Sequence, residues 1–311
     1  MRSRTTLIPS DRIVFRKSKS LTLRKLSLCW LICVGTIPIS IGVTKAAGTE
    51  NEIVEPQTFK LPDSSQYTGK LEDGEFDGNG ILEWSNGKRY TGSFRKGLFN
   101  GIGELVEGNG DRYEGYFVDG IPHGKGTFTY RGGDKYSGDV KYGHANGTGT
   151  LETRNGSKYS GEFANGYYDG HGKLQLPNGE EYVGYFTNGL KDGEGRLVQP
   201  GVGYYEGRFE LGTYHGPGIY HYENGDMYRG QFSRGKLNGT GSYKSNGGAT
   251  YVGEFRHNAF DGVGEFRFAN GDTYQGEFKN GEFHGLGKFT KRDGKVTGGR
   301  WEHGSLVEPA E

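Results

Sequence analysis

The sequence predicts an all-β protein built as an elongated, twisted, solenoid-like array of antiparallel β-hairpins. The first observation is a tyrosine that recurs every 23 residues without a slip, at Tyr67, Tyr90, Tyr113, Tyr136, Tyr159, Tyr182, Tyr205, Tyr228, Tyr251 and Tyr274. The second is the pattern after the tyrosines, counted as position 0: glycine at +2, +7, +11, +13 and +20, and apolar residues at +4 and +15. Two glycines depart from it, because Asn258 replaces one at +7 and Val202 replaces one at +20. The third is composition, because 59 glycines accompany 21 tyrosines and 18 phenylalanines at fixed places, which favours an ordered chain.

Each repeat is predicted to be one hairpin with an aromatic face. Positions 0, +2 and +4 share one side of a first strand, and +13 and +15 share one side of a second, because side chains alternate along a strand. The glycines at +2 and +13 leave room for aromatic rings to lie flat over the backbone. A lone hairpin is marginal in water, so each repeat depends on its neighbours. Twenty such strands predict a ribbon roughly 95 Å long.

Two turns per repeat are predicted. Position +10 is always Asp, Asn or His and stands before the +11 glycine, as in Asn100-Gly101. These residue types are enriched at positive φ, so we expect a tight hairpin turn there. A second turn near the +20 glycine, as in Asn86-Gly87, joins one hairpin to the next.

The array is expected to occupy residues 67–304 as ten full repeats and a half repeat. Thr297 replaces the eleventh tyrosine, whereas Gly299, Trp301 and Gly304 keep the pattern, so Trp301 is expected to cover the open end. Residues 44–66 are predicted to be an extended linker and residues 305–311 a tail.

The first 43 residues are predicted to engage a membrane. Residues 1–25 form a basic head, and residues 26–43 form an apolar run without a charge. This run is just long enough to cross a bilayer, so it is either an uncleaved signal anchor or the core of a cleaved signal peptide. Both interpretations leave the head in the cytoplasm and the repeats on the non-cytoplasmic side. The protein is then membrane-anchored, or secreted or periplasmic if the segment is cleaved.

Charge and side-chain chemistry exclude several functions. Residues 48–311 hold 29 basic and 37 acidic residues, an excess of acid that argues against nucleic acid and anionic lipid as partners. Both cysteines lie in the apolar run, so the repeats have no thiolate ligand. Histidines at equivalent positions in successive repeats would lie about 10 Å apart, too far to share an ion. No acidic pair breaks the repeat pattern. We therefore expect no catalytic residue, no metal site and no cofactor, and hence no enzyme.

The motif Tyr-x-Gly-x-Phe-x-x-Gly-x-x-x-Gly-x-Gly at a period of 23 resembles the MORN (membrane occupation and recognition nexus) repeat over about residues 67–304. The resemblance implies curved β-hairpin arrays used for scaffolding, dimerisation and attachment to membranes or partner proteins. Some members of the family also carry lipid-kinase or lysine-methyltransferase domains in additional residues, and we expect neither domain in residues 1–311.

The candidate site is the aromatic stripe, whose members are Tyr90, Phe94, Tyr113, Phe117, Tyr159, Phe163, Tyr182, Phe186, Tyr205, Phe209, Tyr228, Phe232, Tyr251, Phe255, Tyr274 and Phe278. The stripe is either a core in which rings cover glycines, or an open groove for a ligand. The first functional hypothesis is a non-catalytic scaffold that binds a partner protein or itself. The second is a module that binds polysaccharide through the stripe. The third, binding of phosphoinositide lipid, follows from the family resemblance alone.

Overall fold

The computed structural model describes residues 57–310, in which every regular element is a β-strand. The expected membrane or signal segment 26–43 and the basic head lie outside these residues. Between residues 57 and 310, no helix has the length and apolarity needed to cross a bilayer.

The strands fall into two compact units, divided between Pro177 and Asn178. In the N-terminal unit, each strand pairs antiparallel with its neighbours in sequence, as in β2–β3 and β3–β4. Its strands are β1 (Gln57–Lys60), β2 (Gln66–Glu72), β3 (Glu75–Glu83), β4 (Arg89–Arg95), β5 (Leu98–Val106), β6 (Arg112–Val118), β7 (Ile121–Thr129), β8 (Lys135–Lys141), β9 (His144–Glu152), β10 (Lys158–Ala164) and β11 (Tyr167–Gln175).

The C-terminal unit repeats the same antiparallel arrangement, as in β12–β13 and β13–β14. Its strands are β12 (Glu181–Thr187), β13 (Leu190–Gln199), β14 (Gly203–Glu210), β15 (Thr213–Tyr222), β16 (Met227–Ser233), β17 (Lys236–Lys244), β18 (Thr250–Arg256), β19 (Ala259–Arg267), β20 (Thr273–Lys279), β21 (Glu282–Thr290), β22 (Val296–Glu302) and β23 (Ser305–Pro309). The predicted array of antiparallel hairpins is confirmed within each unit.

The hairpin turn lies at positions +6 and +7, not at +10 and +11 as the sequence suggested. In the third repeat, Asp119 has φ 47° and Gly120 has φ 83°. Two successive residues with positive φ form the type I′ turn, whose twist matches that of the flanking strands. None of the +10 residues in the described repeats has positive φ; the +11 glycine does, as at Gly101 with φ 90°. It lies beside the register shift that separates Gly92 from Phe94, so the predicted turn is instead a β-bulge.

The second turn forms where it was predicted. Gly87 has φ 84° and donates its N–H to the Trp84 carbonyl at 3.1 Å, while Trp84 N–H bonds to the Lys88 carbonyl at 2.9 Å. Successive second turns also touch: a Cβ added at Gly133 would lie 3.1 Å from Cβ of Arg154 in the next repeat. The +20 glycine therefore supplies both the positive φ and the space for the following turn.

Short strands pair with both ends of the regular repeats. β1 pairs with β2 and places Phe59 opposite Tyr67, although residues 44–66 were expected to be a linker. β23 pairs with β22, although residues 305–311 were expected to be a tail. Each addition satisfies backbone groups that an edge strand would leave unpaired. Trp301 lies where predicted: it is 8% exposed and donates its indole N–H to the Gly287 carbonyl at 3.1 Å.

Candidate functional site

The sixteen residues of the aromatic stripe are buried in the structure. Each of them is between 0% and 3% exposed. In the second repeat, the Tyr90 ring lies over two glycines: a Cβ at Gly92 or Gly103 would come 2.7 or 2.4 Å from the tyrosine oxygen. The ring therefore fills the space that the two glycines leave, as the sequence predicted.

The tyrosine hydroxyl is held by the bulge that follows it. In all ten repeats it donates a hydrogen bond to the carbonyl at position +3, as from Tyr90 to Ser93 at 2.8 Å. Burial raises the pKa of the Tyr90 hydroxyl above its usual range. The hydroxyl is therefore a neutral donor that fastens the ring to the backbone.

The phenylalanine at +4 connects one repeat to the next. Phe117 meets Tyr113 of its own repeat edge-on at 5.1 Å and Tyr90 of the preceding repeat at 5.2 Å. Such edge-to-face pairs contribute about 0.5–1.5 kcal/mol each beyond their buried area. Within each unit the stripe is a packed core, so a ligand that stacked on these rings would first have to displace them. Whether the stripe binds anything remains a prediction.

Position +9 completes the core, and the sequence reasoning missed it. Phe99 stacks on Tyr90 with ring centroids 3.8 Å apart and planes inclined by 10°. The sequence did carry a periodic signal for this position, because it too recurs every 23 residues. The residue type at +9 varies, however, from repeat to repeat: the ten residues are Phe76, Phe99, Pro122, Ala145, Tyr168, Lys191, Tyr214, Leu237, Phe260 and Phe283.

Lys191 is the charged exception at this position. Its ammonium lies 5.2 Å from the centre of the Tyr182 ring, where other repeats place an aromatic ring. It also pairs with Glu180 at 3.3 Å, and the two side chains are only 15% and 9% exposed. Burial lowers the pKa of Lys191, although Glu180 opposes that shift. Gln199 lies 3.5 Å from Glu180 and accepts a hydrogen bond from Tyr214 at 3.1 Å, so the ion pair belongs to a polar network inside the C-terminal unit.

The opposite face, formed by positions +1, +3, +5, +8, +12 and +14, is solvent-facing. Acidic residues at +3 have a structural role, because each accepts a hydrogen bond from the backbone N–H at +12. These pairs are Asp139 with Thr148, Glu162 with His171, Glu254 with Val263, and Glu277 with Leu286. A hydrogen bond from Lys125 is the leading cause that holds the pKa of Asp139 below its usual value, and hydrogen bonds from Thr148 lower it further.

Apolar residues also lie on this opposite face. Six of its exposed large apolar residues, between 45% and 74% exposed, are Ile102, Tyr116, Tyr185, Val252, Val263 and Leu286. The N-terminal unit brings the first two together, because Ile102 lies directly opposite Tyr116 across β5 and β6. Val118 follows on the same side of β6 and pairs with Ile121. We call Ile102, Tyr116, Val118 and Ile121 the Tyr116 patch.

The histidines do not assemble into a metal site. His123, which holds position +10, meets Tyr142 edge-on at 5.8 Å rather than forming part of a turn. Across residues 57–310, no cluster of three or more His, Cys, Asp or Glu side chains could hold a metal ion. Asp and Asn at +10 instead reach the next hairpin turn, as where Leu211 N–H donates to the Asp192 carboxylate at 3.3 Å.

These features define a β-hairpin repeat protein whose regularly spaced residues build a core and whose varied residues face solvent. The MORN repeat family matches ten consecutive segments: 67–89, 90–112, 113–135, 136–158, 159–181, 182–200, 205–227, 228–250, 251–273 and 274–296. The chain belongs to the MORN repeat family, which is generally a non-enzymatic repeat scaffold.

Three solved structures that are similar to this chain share little sequence with it and have TM-scores below 0.5. No curated protein matches the chain. The TCP10 domain of Danio rerio CPAP, solved with a peptide of Danio rerio STIL, is 13% identical, with 77% of this chain and 96% of that chain covered and a TM-score of 0.38. The Drosophila melanogaster SAS-4 TCP domain, solved with a proline-rich motif of Ana2, is 11% identical, with 84% and 99% covered and a TM-score of 0.22. Virginiamycin B lyase from Staphylococcus aureus is 9% identical, with 79% and 83% covered and a TM-score of 0.15.

Proposed function

We propose that the protein is a non-catalytic scaffold that binds a partner protein, or a second copy of itself, through the face opposite the aromatic core. The observation that carries this proposal is the difference in solvent exposure between the two faces. The repeated tyrosines and phenylalanines are at most 3% exposed, whereas Ile102 and Leu286 on the opposite face are 74% and 68% exposed. Exposed apolar side chains grouped among polar ones are typical of protein interfaces.

The repeat supplies its own substitutions for a test. Position +12 is Thr148 in one repeat, position +3 is Ser93 in another and position +1 is Thr91, so the fold already accepts small polar residues at all three. An opposite-face variant would therefore replace the six exposed apolar residues by Ser or Thr in the full chain. Its control would carry Ser or Thr replacements at exposed charged residues of the same rows.

We expect the full chain to retain a stoichiometric protein partner from its host, or to self-associate in sedimentation velocity, and the opposite-face variant to lose either behaviour at an unchanged melting temperature. Cross-linking with mass spectrometry should place the contact on the opposite face. If the variant and the control associate as the natural chain does, the proposal is wrong.

We propose further that the repeats function on the non-cytoplasmic side of a membrane. Support comes from the sequence alone: the apolar run 26–43 follows a head with nine Lys or Arg and one acid within residues 1–47. Protease protection in intact cells, with sequencing of the mature N-terminus, tests this. Repeats that are digested only from the cytoplasmic side would contradict it.

A further inference from the structure

We infer that the Tyr116 patch docks a protein segment in which apolar side chains are flanked by carboxylates. This inference rests on the proposed function and names both the surface and the chemistry of the partner. The four patch residues are 74%, 45%, 37% and 38% exposed for Ile102, Tyr116, Val118 and Ile121. They form one continuous group, because cross-strand pairs join Ile102 to Tyr116 and Val118 to Ile121.

Tyr116 lacks the hydrogen bond that acidic residues form at its position. In four other repeats, an acid at +3 accepts a hydrogen bond from the bulge, as Glu162 does from His171 at 2.9 Å. Tyr116 has no carboxylate for that bond, and its Cβ instead packs beside Gly124, where an added Cβ would lie at 3.4 Å. The ring beyond that contact is available to a partner. Tyrosine is enriched where interfaces concentrate their binding energy.

The charge around the patch is positive along one row. Val118 holds position +5, and the same position one repeat earlier and later is Arg95 and Lys141. Equivalent positions lie about 10 Å apart, two strand spacings. Lys141 is exposed and forms no ion pair with any residue between 57 and 310; its ammonium lies 5.5 Å from the centre of the Tyr142 ring. Arg95 pairs with Asp119 at 3.5 Å on an exposed surface, where such a pair is weak enough to exchange partners.

The apolar group is thus bracketed by two cations, within a chain whose residues 48–311 are acidic overall. A segment with carboxylates about 20 Å apart and apolar side chains between them would complement both features. A peptide in extended conformation spans that distance in about six residues. A short linear segment of a partner is therefore long enough to satisfy the surface.

The test is peptide display on the full chain. A library of random 12-residue peptides would be selected on the natural protein, and the enriched peptides would be titrated against three variants. The patch variant combines Ile102→Thr, Tyr116→Ser and Ile121→Thr, which are residues that other repeats place at +12, +3 and +8. The charge variant is Lys141→Glu. The control is Val263→Thr, which removes an equally positioned valine, 61% exposed, from the C-terminal unit.

We expect enriched peptides to carry Asp or Glu on both sides of Leu, Phe or Trp. Their affinity should fall about tenfold or more on the patch variant, by about two- to fivefold on Lys141→Glu at low salt, and not at all on Val263→Thr. Circular dichroism melting checks that each variant is folded.

The outcomes separate this inference from the proposed function. Enriched peptides that bind the patch variant as tightly as the natural chain would overturn the docking site but leave partner binding elsewhere intact. Peptides with basic flanks, or no enrichment at all, would also overturn it. If the natural chain is a dimer that the patch variant dissolves, the occupant is a second copy rather than an acidic segment, and the inference is wrong while the scaffold function stands.

Discussion

Gly264→Ala should unfold the aromatic core locally, because the new methyl group would occupy the place of a ring. A Cβ at Gly264 would lie 2.5 Å from the Tyr251 oxygen and 2.6 Å from two of its ring carbons. Carbon atoms prefer separations of about 3.5–4.0 Å, so the ring has to move by roughly 1 Å. Neighbouring rings block that movement. Tyr251 stacks on Phe260 at 3.8 Å and meets Phe255 and Phe278 edge-on at 5.1 and 5.0 Å.

The expected loss of stability has two parts. Overpacking of a filled core costs about 1–3 kcal/mol. Moving the ring also breaks the bond from the Tyr251 hydroxyl to the Glu254 carbonyl, which is 2.8 Å long, and leaving a buried acceptor unsatisfied costs about 1–3 kcal/mol. We expect the free energy of unfolding to fall by about 3–4 kcal/mol in urea titrations followed by circular dichroism.

The control is Gly247→Ala in the same unit. An added Cβ there would meet only the Ser245 oxygen, at 3.8 Å, so the change should be within about 0.5 kcal/mol. In a Tyr251→Ala background, Gly264→Ala should also become nearly neutral, which gives a coupling energy of about 3–4 kcal/mol. Equal stability of the Gly264→Ala and Gly247→Ala variants, or no coupling to Tyr251, would refute the reasoning.

Three further predictions concern the aromatic cores of the two units. Tyr228→Phe removes the hydrogen bond to the Gln231 carbonyl and should cost about 1–2 kcal/mol in urea unfolding. Lys191→Met should lower the free energy of unfolding by about 3 kcal/mol because it leaves the buried Glu180 carboxylate without its cation. The double variant with Glu180→Gln should recover most of that loss. Burial raises the pKa of Tyr67 to about 12, so this tyrosine ionises at a lower pH in the unfolded chain than in the folded chain. The stability that its burial contributes is therefore complete below pH 10 and is lost between pH 10 and 12. Alkaline unfolding, monitored through the phenolate absorbance at about 295 nm, measures this loss.

Each of these predictions can fail separately. A Tyr228→Phe variant as stable as the natural chain would show that the hydroxyl bond contributes nothing. A double variant at Lys191 and Glu180 that is no better than Lys191→Met alone would argue against a paired network. If a Tyr67→Phe variant loses one tyrosine's worth of the phenolate signal near pH 10 while the circular dichroism spectrum remains native, Tyr67 is exposed in the folded chain and the prediction is wrong.

Sequence reasoning recovers the parts of the fold that repeat with one chemistry. The tyrosine at 0 and the glycines at +2 and +13 recur without exception in the ten repeats, so the contact between them follows from the period and the strand alternation alone. Trp301 could also be placed, because it falls four residues after Thr297, where earlier repeats have phenylalanine.

The errors have a physical origin in ambiguous turn signals. Asn-Gly and Asp-Gly pairs occur both at +6/+7, as in Asp119-Gly120, and at +10/+11, as in Asn100-Gly101. A bulge and a type I′ turn both use a glycine with positive φ, so residue type alone does not separate them. Strand register does, because a two-residue turn at Asp119-Gly120 puts Val118 opposite Ile121.

The candidate interaction surface could not be predicted in the same way. Its residues hold positions +3, +5, +8 and +12, which change chemistry from repeat to repeat and leave no periodic signal. Grouping Tyr116 with Ile102 depends on the pairing of β5 with β6, and grouping Val118 with Ile121 depends on the corrected turn. Long-range register therefore creates the patch, and the linear sequence shows it only once that register is known.

The division between a sealed aromatic face and an exposed opposite face can be measured within one peptide. Trypsin cleavage after Arg112 and Lys125 releases a fragment that holds both Tyr113, which is 0% exposed, and Tyr116, which is 45% exposed. After brief nitration of the native protein, mass spectrometry should find the nitro group on Tyr116 and not on Tyr113, with both modified in urea. Equal nitration of the two tyrosines in the native protein would contradict the account.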